Sequence, residues 1–121
     1  MEFYELKIWK KGHKLLIDIY EITKSFPKEE KYNLISQTRS SANSIIALIA
    51  ESYGRYSFAD KVRVLYQSRG ECVEVRSHLK VAYSLGYLTK KKFDYFEKEY
   101  LGLGKGINSY ITSLSKHKSS K

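Results

Sequence analysis

Four lysines, Lys7, Lys10, Lys11 and Lys14, recur at steps of three and four near the start of the chain. On a helix those steps bring side chains onto one face, so four ammonium groups stand within two turns of one another. Their repulsion costs roughly a few tenths of a kcal/mol per pair, and phosphates of a nucleic acid would relieve it. The plainer use of such a run is a solvated helix face. A fifth cation, Arg55, lies between Tyr53 and Tyr56. Tyrosine rings beside a guanidinium can stack on unpaired bases; equally, they bury the ring and leave the hydroxyl wet. Lys7, Lys10, Lys11, Lys14 and Arg55 are therefore the candidate nucleic-acid contacts.

The other chemistry-bearing residues form no catalytic set. His13, His78 and His117 lie far apart, and no Glu-x-x-His pairing exists, which argues against a di-metal bundle. Glu71 and Glu74 stand three apart without a histidine at the required offset. Nothing resembles a nucleophile elbow. Gly102-Leu103-Gly104-Lys105-Gly106 lacks the Ser or Thr after the lysine, the spacing and the preceding strand of a phosphate loop. Its glycines read instead as places where helices approach closely, and three of them predict a weak spot or kink. No cofactor and no metal are expected, and the chain reads as a non-enzyme.

Those residues need elements to position them. A chain of 121 residues suffices for one domain, residues 1–121. One proline and seven scattered glycines suit long helices better than the frequent turns of a sandwich or barrel. The net charge of +9 favours nucleic acid, an anionic membrane or an acidic protein as partner, or else marks a soluble surface. Cys72 has no second cysteine to pair with and reads as a small core residue. No signal peptide is recognisable, and no apolar run approaches the roughly 18–20 residues that span a bilayer. A cytoplasmic protein without membrane contact is the expectation.

Helical periodicity predicts helices at about residues 6–25, 31–52, 58–85 and 90–114, then a disordered basic tail, 115–121. The seam of the first is Ile8 or Trp9, Gly12, Leu16, Ile19, Tyr20 and Thr23, and Pro27 ends it. Leu34, Ile35, Thr38, Ala42, Ile45, Ile46, Ile49, Ala50 and Tyr53 mark the second. Because Ala47 and Leu48 lie off that face, its C-terminal half is apolar nearly all round, which argues for self-association. Gly54 fits a left-handed cap, Ser57 an N-cap three residues before Asp60, Gly86 a C′ glycine and Thr89 an N-cap. The third seam reads Phe58, Val62, Leu65, Tyr66, Arg69, Cys72, Val73, Arg76, Leu79, Ala82 and Tyr83. It puts two arginines on or beside an apolar face, where each needs a carboxylate or several carbonyls; Glu51, Glu71 and Glu74 are the candidate partners, and a ligand site is the alternative. Phe93, Phe96, Tyr100, Leu103, Ile107, Tyr110, Ile111 and Leu114 form the fourth. Short loops make such helices antiparallel neighbours, so the expected fold is an all-α, up-down-up-down four-helix bundle.

Several stretches carry a family resemblance over nearly the whole chain. These are Leu6-Lys7-Ile8-Trp9-Lys10-Lys11, Phe26-Pro27-Lys28-Glu29-Glu30, Gln37-Thr38-Arg39-Ser40-Ser41-Ala42-Asn43-Ser44-Ile45 and Ile49-Ala50-Glu51-Ser52-Tyr53-Gly54-Arg55. Ser68-Arg69-Gly70-Glu71 with Glu74, and Ala82-Tyr83-Ser84-Leu85-Gly86-Tyr87-Leu88, complete the set. In order and spacing the chain resembles the four-helix proteins encoded in bacterial 23S rRNA intervening sequences, the S23 ribosomal protein family. That family is related to the accessory variability protein of diversity-generating retroelements, which acts alongside a reverse transcriptase. The chain departs from the pattern at Ile46, where the family has proline, at Leu48, where it has asparagine, and at Ser52, where it has glycine. The resemblance implies a four-helix subunit, a homopentameric ring and a basic surface for RNA or DNA. With the seam positions, it assigns Arg39, Glu51, Arg69 and Glu74 to ion pairs within the bundle or between subunits. A protein-interaction scaffold is the alternative.

Overall fold

The structure is a computed structural model that describes residues 1–119, with side chains through His117. Four helices make up most of it: α1, Lys7–Thr23; α2, Ser36–Gly54; α3, Phe58–Ser84; and α4, Lys90–Ser119. The described residues contain no strand. The predicted helices stand, with ends shifted by a few residues except at the C-terminus. There α4 runs on to Ser119, where the sequence predicts a disordered tail from 115. No Pro or Gly interrupts residues 111–119, Ile111 and Leu114 still pack partly on the core, and cations suit a helix C-terminus. Ser120 and Lys121 of that expected tail lie outside the described residues.

Residue contacts order the helices. Gly12 of α1 faces Ile46 of α2, while Thr23 meets Arg39. Ser68 of α3 reaches Ile45 of α2, and Lys61 reaches Ser52. Tyr83 stacks on Phe93 of α4, whereas Arg69 bonds to Asn108. In each of the three pairs, the numbers rise along one helix as they fall along the other. The core they enclose includes Leu15, Ile19, Ile45, Ile49, Leu65, Val75, Leu79, Tyr100, Leu103 and Ile107, all nearly inaccessible. One chain alone covers Ile45, Ile46 and Ile49 of α2 and half-buries Leu48, leaving Ala47 exposed.

Caps explain the helix ends. Ser57 Oγ accepts from the Asp60 amide at 3.1 Å, and Thr89 Oγ1 from that of Lys92 at 3.2 Å. Gly86 is the sole residue of positive φ among those described, at 81°. Around it the Tyr87 amide donates to Ala82 O and the Gly86 amide to Tyr83 O, the paired bonds of a Schellman turn. Gly54, by contrast, stays helical and is no left-handed cap. The last carbonyls of α2 are satisfied differently: Lys61 Nζ donates to Ser52 O at 3.2 Å and to Tyr53 O at 3.0 Å. Between α1 and α2, Pro27 leads into a 3-10 turn, Lys28–Glu30, and a π turn, Lys31–Ile35. The Glu30 carboxylate ties that turn down, accepting from Asn33 Nδ2 at 3.1 Å and from the Tyr87 hydroxyl at 3.1 Å.

The α3 seam differs from the periodic reading. Its buried residues are Val64, Leu65, Ser68, Cys72, Val75, Leu79 and Ala82, while Tyr66, Arg69 and Val73 are exposed. Ser68 lies within the α2 contact because its hydroxyl donates to Ile45 O at 2.8 Å, which offsets the cost of burying it. The three glycines of α4 lie inside one uninterrupted helix. Gly106 meets Ile8, and Gly102 lies under Lys11, while a side chain at Gly104 would point into open space.

Candidate nucleic-acid interface

Helix α1 turns Lys7, Lys10 and Lys14 outward and leaves Lys11 half-buried against α4. Their environments are not equal. Lys14 Nζ donates to Asp18 Oδ2 at 3.1 Å and to the Tyr95 hydroxyl at 2.9 Å, while that hydroxyl donates to Asp18 at 2.8 Å. The bonds to Tyr95 and Asp18 push its ammonium pKa above the ordinary lysine value. Its charge is secure but already matched by a carboxylate. Lys11 arches over the α4 backbone at Gly102, in a groove that also holds Asp94, Glu97, Glu99, Lys98 and Lys105. Lys7 and Lys10 are exposed and form no ion pair among the described residues.

Arg55 sits where α2 ends. The Tyr53 hydroxyl donates to the Met1 carbonyl, which brings this end of α2 to the start of the chain and hence toward α1. The Arg55 guanidinium lies 3.0 Å from Glu51 in a pair about two-fifths exposed. Such a pair contributes little and exchanges readily for a phosphate. Tyr53 is engaged with Met1 and lies under Lys61, so its ring is not free for a base. Tyr56 is fully exposed beside Arg55.

The lysine run on α1 leaves out the contribution of α4. Lys91, Lys98 and Lys105 are exposed and form no ion pair among the described residues; Lys98 and Lys105 border the same groove as Lys11. Their seven-residue spacing puts them on one helix face, and that spacing was the available signal. The cationic surface therefore spans two helices, with Asp18 and Asp94 as local counter-charges.

The remaining predicted residues have other neighbours within the chain. Arg39 donates to Thr23 Oγ1 at 2.9 Å and lies over the Tyr20 ring at 4.5 Å, with no carboxylate partner among the described residues. Exposed Arg69 donates to Asn108 Oδ1 at 2.7 Å and stacks on Tyr66. Arg76 pairs with Glu97 of α4. Glu51, Glu71 and Glu74, the expected partners of these two arginines, thus lie elsewhere: register between α3 and α4 chooses Asn108 and Glu97. Glu74 is 3.6 Å from His78 Nε2. Burial, then the neighbouring Glu74, raises the Glu71 pKa. Ser36, Gln37, Ser40, Ser41, Glu74 and His78 line an open groove, yet among the described residues no serine hydroxyl bonds to the imidazole Nε2. No group of three or more His, Cys, Asp or Glu among the described residues could hold a metal ion, and no described helix is long and apolar enough to cross a membrane.

A family model described as 23S rRNA-intervening sequence protein matches residues 4–109. Among solved structures, the chain is similar to a protein of unknown function from the S23 ribosomal protein family of Bacteroides thetaiotaomicron. The two share 23% identity and superpose with a TM-score of 0.80 over 87% of this chain and 95% of that one, a likeness of fold. A search of curated proteins found no match.

Proposed function

Since the chain belongs to the family of 23S rRNA-intervening sequence proteins, we propose that it is a non-enzymatic, cytoplasmic nucleic-acid-binding protein that grips phosphates, with RNA favoured over DNA. One observation carries this reading: Lys7, Lys10, Lys91, Lys98 and Lys105 are exposed on α1 and α4 without an ion pair among the described residues, in a chain of net charge +9. Lys14 and Arg55 flank them, each already paired with a carboxylate, and Lys11 lies half-buried in the groove that Lys98 and Lys105 share. Such a face binds by releasing counterions, so it is sensitive to salt and indifferent to base sequence.

The subunit is read as an up-down-up-down bundle that self-associates, a pentameric ring being the form the family resemblance implies. Exposed apolar side chains for this stand on α3 rather than α2: Tyr66, Val73 and Val81, with Leu85 just past its end, are each about half exposed, and Ile17 and Tyr20 of α1 and Leu101 of α4 are similarly exposed. Arg39, Glu51, Arg69 and Glu74 remain the polar candidates for the subunit contact. Light scattering with and without a short structured RNA, at low and high salt, tests both parts. The expected particle is larger than a monomer and gains mass with RNA at low salt alone. A clean monomer would remove the assembly, and a particle that takes up no RNA would remove the binding.

The same α3 surface favours a second reading, a scaffold whose target is another protein, with the positive charge steering the encounter. Capture of a protein partner that survives nuclease treatment would favour it over the first.

A further inference from the structure

Between α3 and α4 lies a hollow of about 190 Å³, walled by Val73 and Leu101 and bordered by Arg69, Arg76 and Lys105, with Tyr100 also lining it. Tyr100 is 1% exposed, and its hydroxyl has no hydrogen-bond partner among the described residues. A buried hydroxyl without a partner is costly and uncommon. Beside it stand three cations and one paired carboxylate, Glu97. Each arginine carries five N–H donors. Arg76 directs Nε at Glu97, and Arg69 directs one terminal nitrogen at Asn108. Their other donors make no hydrogen bond among the described residues. The hollow is smaller than the roughly 300–1,000 Å³ of a drug-sized ligand pocket. Short apolar walls and a doubly guanidinium rim match a small molecule with one anionic end.

We propose that this hollow binds a small organic oxyanion, a carboxylate or phosphate ester with a short apolar body. The anionic end meets Arg69 and Arg76, and the body lies on Val73 and Leu101, with the buried Tyr100 at the floor. The site adjoins the lysine face, sharing Lys105 and Leu101 with the groove there.

Amide NMR titrations of the full chain with benzoate, phenyl phosphate, inorganic phosphate and benzyl alcohol test it. Benzoate or phenyl phosphate should shift the amides of Val73, Tyr100 and Leu101 saturably, inorganic phosphate should bind more weakly, and benzyl alcohol should not saturate. Whichever of the two aromatic anions binds tighter identifies the oxyanion. Tyr100→Phe keeps the ring in the core and removes the unpaired hydroxyl, so its melting temperature should hold or rise. Arg69→Gln should weaken binding about tenfold, whereas Tyr100→Phe should leave it unchanged, along with RNA affinity and its salt dependence. Absence of saturable shifts, equal affinity in Arg69→Gln and the unchanged chain, or inorganic phosphate binding as tightly as the aromatic anions would overturn the proposal.

Discussion

Gly12 shows how little room the α1–α2 contact leaves. A Cβ there would stand 2.5 Å from Ile46 Cγ2, a methyl on a β-branched side chain that is itself buried. Neither group can swing aside, so Gly12→Ala should lower stability by about 1–3 kcal/mol, seen as a lower melting temperature. Gly104→Ala makes the contrast: nothing lies within 4 Å of its added Cβ, and the helix gains up to about 1 kcal/mol from alanine. Cys72 gives a pH prediction. Burial pushes its thiol up from 9.0 to about 12. Between those values the unfolded thiol is ionised and the folded one is not, so the unfolded state binds fewer protons and stability falls as pH rises. Denaturant titrations should show a decline above pH 9, up to about 1.4 kcal/mol per unit from this group, and a flatter slope in Cys72→Ala. Thiol-specific reagents should label the native chain at about pH 8 far more slowly than the unfolded one.

Elements begin and end where a few side chains decide it. Ser57→Ala removes the oxygen that accepts from Asp60 and should cost about 1 kcal/mol. Gly86→Ala places a Cβ in the left-handed region and should cost a similar amount, about 1 kcal/mol; thermal melts of both variants check this. These caps were legible in the sequence because each depends on neighbours within a few residues. The seams of α2 and α4 were legible too, since their large aliphatic and aromatic residues lie mostly on one face. Helix α3 was not, because it is apolar on two faces: Leu65, Cys72 and Leu79 enter the core, whereas Tyr66, Val73 and Val81 stay outside. Periodicity counts valine and tyrosine but passes over Ser68, which a carbonyl on another helix makes buriable. Arg76–Glu97, Arg69–Asn108 and the Tyr95 bridge to Lys14 depend on register between helices, which spacing within one helix does not encode. The candidate site was accordingly legible as a lysine run on α1, and its other half on α4 was not.

At the scale of the whole molecule, the lysines of the candidate interface lie on α1 and α4, and Tyr66, Val73, Val81 and Leu85 are exposed along α3 and its C-terminal end, where Lys80 also stands exposed without an ion pair among the described residues. An oligomer that buries the α3 surface would leave the lysines of every copy outward, multiplying weak phosphate contacts into a useful affinity. The central claim is that exposed lysines without carboxylate partners supply the phosphate contacts. The most direct test measures RNA affinity against salt for the unchanged chain and for Lys7→Gln with Lys10→Gln, at constant oligomeric state. Each phosphate no longer neutralised should flatten the log–log slope by about 0.7 on single strands and about 0.9 on a duplex, so the double variant should flatten it by roughly twice that per subunit engaged. Replacing Lys14, already bonded to Asp18 and Tyr95, should change the slope less. An affinity that ignores salt, or a double variant with an unchanged slope, would contradict the account.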